Sequence, residues 1–396
     1  MTILPPADWT KREGLALLTR TLGAENLRYV GGCVRDTLLG HAIYDVDCAT
    51  KLSPDDVLRR CEAAGIRTVP TGLQHGTVTA VLPDGPVEIT TLRRDVDTDG
   101  RHARVAFSED WAEDAARRDF TINALYAHPS SLEISDYFNG LEDLAARRVR
   151  FIGDAATRIR EDHLRILRYF RFQARFGADF DAEAIAACSR LASTLKGLSR
   201  ERVGGELLSL LGLPDPAPTI SKMAEIGVLA QILPESQPRE LACLDALVRH
   251  EREDAATPDG LRRLAALIPP IPAIAETVSA RLRLSKQQRV RLVCAANRKA
   301  GDTDAPRALA YSEGPVCARD RLLLLGAPTD ALADWDVPRF TLKGGEIVAS
   351  GVTAGPQVAR ILRSVEQRWV AEGFPDRERI DMLLGEELAR LAMPGS

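Results

Sequence analysis

Two carboxylates stand two residues apart in Tyr44-Asp-Val-Asp-Cys48, and the chemistry of the chain is most concentrated there. On a strand, residues i and i+2 project to one face, so Asp45 and Asp47 would crowd two negative charges together. Each then makes the other harder to ionise unless a cation lies between them. A hard divalent ion that keeps carboxylate and phosphate oxygens as ligands suits such a pair, and Mg²⁺ is the expected one. An isolated D-x-D reads equally as a solvent-facing strand edge. A third acid on a neighbouring strand would complete a two-metal site. Glu88, in Val87-Glu-Ile-Thr90, is the candidate, with a plain surface glutamate as the alternative.

Upstream runs Tyr29-Val-Gly-Gly-Cys-Val-Arg-Asp36. Gly31 and Gly32, between an apolar strand and a helix-like stretch, permit a tight turn whose backbone N–H groups can approach a phosphate. Arg35, one turn later, could add charge-assisted bonds to the same anion. Alone, a Gly-Gly turn is more often structural. Downstream stand Arg117-Arg-Asp119 and the run Arg160-Glu-Asp-His-Leu-Arg-Ile-Leu-Arg-Tyr-Phe-Arg-Phe172. On a helix, Asp162 and Arg165 share a face at i and i+3, and Arg168 and Arg171 continue the row. Taken bare, the first motif is a helix-end salt bridge and the second a solvated helix with an internal Asp–Arg pair.

These residues need elements to position them. Over residues 1–140, short β-branched runs such as Ile66–Val69, Thr77–Leu82 and Val87–Thr91 alternate with Gly, Pro and Asp turns, which predicts a mixed α/β region. Pro83-Asp-Gly-Pro86 predicts a hairpin turn and therefore an antiparallel portion of the sheet. Beyond about residue 140 the spacing turns helical, over 158–176, 181–196, 199–212, 219–232 and 355–371, and strand signals nearly vanish. The expected architecture is an α+β head, with a mixed, partly antiparallel sheet and flanking helices, followed by an all-α elongated body. We divide it into a catalytic head (1–140), a neck (141–212), a helical body (213–330) and a helical tail (331–396).

Gly31-Gly-Cys-Val-Arg-Asp36 together with Asp45-Val-Asp47 resembles the signature of the class II tRNA nucleotidyltransferase and bacterial poly(A) polymerase family, within the polymerase-β-like nucleotidyltransferases. Later segments keep the family's order. Asp99-Gly-Arg-His-Ala-Arg-Val-Ala-Phe107 is similar to its flexible loop, and Arg117-Arg-Asp-Phe-Thr-Ile-Asn-Ala-Leu125 to its ribose-contacting motif. Glu161-Asp-x-x-Arg165 resembles the motif that serves the family as a protein template for the incoming base. Ser199-Arg-Glu-Arg-Val-Gly-Gly-Glu206, Met223–Leu229 with Leu233-Pro-Glu235, and Phe340–Glu346 with Gly355–Leu362 resemble its helical body. Tyr44 departs from the acidic or small residue common before the D-x-D.

The resemblance implies roles. Asp45, Asp47 and Glu88 would be catalytic, with the two aspartates holding Mg²⁺. Gly31, Gly32 and Arg35 would grip a triphosphate, Arg118 the sugar-phosphate, and Asp119 a ribose hydroxyl, a contact that favours ribonucleotides. Asp162 and Arg165 would read the base, with Arg168 and Arg171 beside them. The hydrogen-bond logic stands independently: C and A present an amino donor beside an acceptor nitrogen, G and U the reverse. A carboxylate beside a guanidinium therefore matches C and A and mismatches G and U. The expected activity is template-independent addition of CMP and AMP to the 3′ end of tRNA, from CTP and ATP. The alternatives are a poly(A) polymerase or C-only or A-only enzyme, a catalytically silent RNA-binding homologue, and a nucleotidylyltransferase for small molecules or proteins.

Composition narrows the setting. The 396 residues carry 52 basic and 56 acidic side chains, so a protein that coats nucleic acid uniformly is disfavoured, while local patches are not. Residues 147–175 hold nine Arg against Asp154, Glu161 and Asp162. Residues 281–300 hold seven cations and no acid, which makes Arg281, Arg283, Lys286 and Arg289 candidate RNA contacts or, equally, members of a solvated face. P-loop, G-x-G-x-x-G, G-x-S-x-G and H-E-x-x-H motifs are all missing, which disfavours P-loop ATPases, typical dehydrogenases and zinc proteases. Seven scattered cysteines with no C-x-x-C pair suit neither a disulfide framework nor a zinc knuckle, so a reducing cytoplasm is expected. The first residues resemble no secretory signal, the apolar run near Leu264–Ala275 is broken by three prolines, and nothing calls for a membrane or an obligatory protein partner.

Overall fold

A computed structural model describes residues 2–43, 45–73, 76–97 and 104–392; Tyr44 and most of the 99–107 segment lie outside the described residues. The chain divides into two compact units, Met1–Pro234 and Glu235–Ser396.

The first unit opens with α1 (Glu13–Leu22), β1 (Leu27–Val30), α2 (Gly32–Leu38), β2 (Val46–Thr50) and α3 (Pro54–Ala63). Then come β3 (Arg67–Gly72), β4 (Thr77–Leu82), β5 (Gly85–Thr91), β6 (Arg93–Asp97) and β7 (Arg104–Phe107). After α4 (Trp111–Ala116), β8 (Leu125–Ala127) and β9 (Ile134–Asp136), the chain turns helical: α5 (Gly140–Ala145), α6 (Ala155–Glu161), α7 (Arg165–Phe176), α8 (Ala182–Leu191), α9 (Arg200–Leu211), α10 (Ala217–Glu225) and α11 (Val228–Ile232). Seven strands form one sheet in the order β3-β4-β5-β2-β1-β8-β9, and β6 pairs with β7 as a separate ribbon. Within the large sheet β2 and β5 run parallel and the other neighbours antiparallel. The expected mixed, partly antiparallel sheet is thus present.

Local signals explain these elements. β4 and β5 alternate buried and exposed residues, so one face packs inward. Leu82 pairs with Gly85 across the anticipated Pro83-Asp84 turn. Asp84 also accepts a 2.9 Å hydrogen bond from the Gly14 N–H, tying the hairpin to the first turn of α1. Ser53 caps α3 by accepting from the Asp56 N–H, with Pro54 at the first helical position. Val30, Ala49, Leu92, Ala115, Ala124, Tyr126 and Ile152 form a buried core at the sheet centre, with Trp111 and Phe138 packed against it.

The second unit contains α12 (Pro238–Glu253), α13 (Gly260–Ala266), α14 (Pro272–Arg281), α15 (Lys286–Ala296), α16 (Pro306–Glu313), α17 (Pro315–Leu324), α18 (Gly344–Ala349), α19 (Pro356–Ala371) and α20 (Arg377–Ala392). Its interior is ionic as well as apolar. Glu251 accepts from Arg262 at 2.6 Å and from Arg263 at 2.7 Å, and Asp320 pairs with Arg262 and Arg291; Glu251, Arg263 and Asp320 are each at most 2 % exposed. A second core of Leu342, Ile347, Ile361, Val365, Trp369, Ile380, Leu383 and Leu384 joins α18, α19 and α20. One expectation is corrected here. Cys294 and Cys317 form a disulfide, because α15 and α17 pack together and bring residues 23 apart in sequence to a Cα separation of 6.2 Å. A spacing rule for C-x-x-C pairs could not register that.

Candidate active site

The carboxylates come first because the sheet places them. Asp45 is exposed just ahead of β2, and Asp47 is half-buried within it. Glu88 is exposed on β5, and the parallel pairing sets it directly opposite Asp47. Neighbouring strands lie ~4.8 Å apart, so these two acids are adjacent along the sheet. Burial pushes the Asp47 carboxyl above its ordinary value, Glu88 and Asp45 add to the rise by repulsion, and Arg118 partly offsets it. Among the described residues, the three acids do not bring one oxygen each within 4.8 Å of the other two. Beneath them the Cys33 sulfur lies 3.7 Å from the Asp47 carbonyl, and burial pushes its thiol up to about 12, so it stays neutral.

Gly31 and Gly32 form the turn into α2. Gly31 has φ 73°, a conformation that favours glycine, and a Cβ there would stand 3.6 Å from an Arg118 Nη atom. The Arg118 guanidinium therefore lies over the glycine turn. Two of its nitrogens are fixed from behind: Nε donates to Tyr126 Oη at 2.9 Å, and Nη2 to Asp114 at 3.1 Å. Tyr126 in turn donates to Asp114 at 2.7 Å. Burial works against the Arg118 charge, but Tyr126 and Asp114 outweigh it and hold its pKa above the ordinary guanidinium value. The result is a preoriented cation beside Asp47.

The structure revises the reading of Arg35. Its side chain is only 6 % exposed, bidentate to Asp36 at 2.8 and 3.0 Å, and bonded to Asn123 at 2.5 Å. Its guanidinium also stacks on Phe172 and Phe176, at 5.2 and 4.5 Å from the ring centres. Asp36 also pairs with Arg175 at 3.2 Å. Arg35 thus fastens α2 to α7 rather than presenting a free fork to an anion.

Asp119 is revised in the same way. Arg168 donates to its Oδ2 at 2.9 and 2.6 Å, and Oδ1 accepts from the Phe120 N–H and from Asn123, so its acceptor sites are occupied. Burial alone would raise its pKa, but Arg168, Asn123 and the Phe120 N–H hold it below the ordinary value. Arg171 donates to Glu206 at 2.6 Å, and Arg168 lies 3.6 Å from the same carboxylate, so α9 anchors these two of the four arginines of α7.

The expected continuous helix through Asp162 and Arg165 is also corrected. α6 ends at Glu161 and α7 starts at Arg165, while Asp162 is extended, at φ −148° and ψ 104°. Its Oδ1 accepts from the Leu164 N–H, the side-chain-to-backbone bond that lets an aspartate break a helix. The side chains of Asp162 and Arg165 therefore do not pair with each other, although the Arg165 N–H donates to the Asp162 carbonyl at 3.0 Å. Arg165 binds Glu161 at 2.5 Å and the carbonyls of Arg158 and Arg117. Asp162 receives Arg202 from α9 at 2.8 Å, with both side chains partly exposed. Arg202 was missed by sequence reasoning. Its signal was the Arg202–Glu206 spacing of one helical turn, which puts both on the face toward α7.

Three of the seven cations in the 281–300 stretch are neutralised by acids from outside it. Arg281 pairs with Glu235, Arg289 with Glu276, and Arg291 with Asp259 and Asp320. Arg283 and Lys286 are exposed and show no side-chain ion pair among the described residues.

Comparison with known proteins finds relatives along most of the chain. Residues 27–150 match the poly A polymerase head domain, and residues 177–239 match a probable RNA and SrmB-binding site of polymerase A. The chain is 35 % identical over 386 residues to the mitochondrial CCA tRNA nucleotidyltransferase 1 of Mus musculus, covering 91 % of this chain and 87 % of the relative. It is 43 % identical over 185 residues to the CCA-adding enzyme of Leuconostoc citreum, covering 46 % of this chain and 45 % of that one. The crystal structure of the Bacillus stearothermophilus CCA-adding enzyme in complex with CTP superposes with a TM-score of 0.77 at 27 % identity, over 97 % of this chain and 99 % of that one. The Thermotoga maritima CCA-adding enzyme complexed with tRNA shares the fold, with a TM-score of 0.69 at 20 % identity over 99 % of this chain and 100 % of that one.

Proposed function

We infer, because the chain belongs to the CCA tRNA nucleotidyltransferase family, that it adds CMP and AMP from CTP and ATP to the 3′ end of tRNA, building or repairing the terminal C-C-A with release of pyrophosphate. The observation that carries the reading is the register of Asp47 opposite Glu88, with Asp45 beside them and Arg118 over the Gly31-Gly32 turn.

The donor set fits a hard divalent ion: all three groups are carboxylates, and the repulsion from Glu88 and Asp45 that adds to the burial-driven rise of the Asp47 pKa is what a cation would relieve. Asp45 and Asp47 would hold Mg²⁺, with Glu88 alongside. An ion held by them would supply the Lewis acidity that favours ionisation of the attacking 3′-OH and the charge that balances the leaving pyrophosphate. The remaining tasks belong to the chain. Arg118 is held ready for a phosphate or sugar by Asp114 and Tyr126. Gly31 and Gly32 keep the backbone at that turn free of side chains, so a triphosphate can approach it. Asp162 and Arg165, at the helix break, would offer the acceptor and donor that match C and A by sharing or exchanging their present bonds to Arg202 and Glu161. Arg35, Asp119, Arg168 and Arg171 position those groups through their ion pairs.

In this reading residues 1–140 are the catalytic head, 141–212 the neck that carries base recognition, 213–330 the body, and 331–396 a tail in contact with tRNA. A cytoplasmic setting is part of it too. Among the described residues no helix is long and apolar enough to cross a membrane.

The test supplies purified protein, Mg²⁺ and each nucleoside triphosphate separately to tRNA lacking C-C-A, C-A or A. Stepwise addition of C, C and A that then stops is expected. Long A tails would instead make the chain a poly(A) polymerase, and use of GTP or UTP would overturn the base-reading assignment.

A further inference from the structure

Three donor atoms converge in the Glu235–Ser396 unit, where nothing in the proposed reaction uses them. Cys294 lies in the last turn of α15, Cys317 in the first turn of α17, and Glu313 closes α16. Gly314, at φ 89°, turns the chain sharply between α16 and α17 and so sets Glu313 close to Cys317. One sulfur from each cysteine and one Glu313 oxygen all lie within 4.8 Å of one another. Glu313 Oε2 is 3.4 Å from the Cys294 sulfur. Cys317 is 6 % exposed, Cys294 half-buried and Glu313 exposed, so the cluster is seated in the fold on one side and open on the other.

The surroundings orient the third donor. Arg321, one turn beyond Cys317 and 2 % exposed, places Nη1 3.4 Å from Glu313 Oε1, which leaves Oε2 toward the sulfur. Asp302 holds Arg321 at 3.3 Å, and the carbonyl of Asn297, at the end of α15, accepts from the same guanidinium. Outer partners that fix a carboxylate in this way are what ligands of bound metals need. Two sulfurs and one carboxylate suit Zn²⁺, with water in a fourth, tetrahedral position, and discriminate against Mg²⁺. Thiolates on a tetrahedral ion with bonds of about 2.3 Å stand ~3.8 Å apart. The sulfurs would need only that opening, with the Cα atoms 6.2 Å apart.

We propose that Cys294, Cys317 and Glu313 form a divalent-metal site of the Zn²⁺ class, of which the disulfide is the oxidised state. Two thiols of a small-molecule reductant give up two electrons and two protons to the disulfide. They leave as their own disulfide, and Cys294 and Cys317 become thiols. Binding of the ion then releases the two thiol protons. The metal and the cross-link tie the same helix ends, the first where thiols stay reduced and the second where they do not.

Co²⁺ is the probe, because thiolate coordination gives a sulfur-to-metal charge-transfer band that carboxylate-only ligation at Asp45 and Asp47 does not. The full chain, reduced and then freed of reductant, should take up a single equivalent of Co²⁺ with that band, and Zn²⁺ should displace it. The band should vanish in Cys294→Ser. Glu313→Gln, at an exposed position, should weaken Co²⁺ binding by about tenfold or more, and it keeps the test decisive if Cys294→Ser misfolds. No band in the reduced wild type, a band that survives Cys294→Ser, affinity unchanged in Glu313→Gln, or the same band in the oxidised chain would each overturn the proposal.

Discussion

Burial and the charges of Glu88 and Asp45 lift the Asp47 pKa above that of an ordinary carboxylate, so ionising it opposes folding. A raised folded-state pKa gives stability that is present below the unfolded value of about 3.9 and is lost as pH rises through the folded value. Asp47→Asn should therefore raise Tm at pH 7, with the gain disappearing near pH 3. In the same variant nucleotide incorporation should fall by at least about 10²–10³-fold, the loss that follows removal of one preorganised charge-stabilising group. Mg²⁺ should raise the Tm of the wild type but not of this variant. An unchanged Tm at pH 7 would refute the crowding argument. Asp119 has the opposite sign, because its pKa is held down. Its contribution is present above about pH 3.9 and lost as pH falls through the folded value. Asp119→Asn should cost about 2 kcal/mol at pH 7 in urea titrations, and less near pH 3. The strands that carry Asp47 and Glu88 were legible in sequence because alternation within a strand is local, whereas Asp45 lies just ahead of β2 and the pairing of β2 with β5 is set by the fold. The Arg35–Asn123 and Asp119–Arg168 contacts were not, since their partners arrive from 88 and 49 residues away.

At the scale of elements, the break between α6 and α7 matters more than the helices themselves. It lets Asp162 leave the helical row and meet Arg202 on α9. Arg202→Ala should lower kcat/KM for CTP and ATP and relax their preference over UTP and GTP by about tenfold, the loss of roughly one charged hydrogen bond. Reduced stability with discrimination intact would make Arg202 a structural residue only. The strands expected at Thr77–Leu82 and Val87–Thr91 are found at Thr77–Leu82 and Gly85–Thr91, because alternating β-branched residues bounded by turns leave little choice. The helix expected over 158–176 missed its interruption. Apolar periodicity continues across residues 162–164, and only the Asp162 side chain, bonding to the Leu164 N–H, stops the ladder.

Over the whole molecule, a formal charge of −4 conceals how thoroughly arginine is matched to acid. The 281–300 run looked like a bare basic strip because its partners, Glu235, Glu276, Asp259 and Asp320, lie outside it. If tRNA phosphates meet this unit, Arg283 and Lys286 are exposed cations, without a side-chain ion pair among the described residues, that can receive them. Alanine at either should weaken tRNA binding and lower the slope of log affinity against log salt by about one, whereas Arg291→Ala should act on stability instead. Unchanged salt slopes would leave those two cations as ordinary solvated residues. The ionic interior around Glu251 has a thermal consequence as well. Hydration of charged groups grows less favourable on heating, so the penalty for having buried Arg262, Arg263, Glu251 and Asp320 shrinks as temperature rises. Glu251→Gln should therefore lose more stability at 50 °C than at 15 °C in urea titrations, while Leu264→Ala, a cut in apolar packing, should show no such growth. A unit built this way is tempered for warmth, its charges gripping harder as the surrounding water loosens its hold on them.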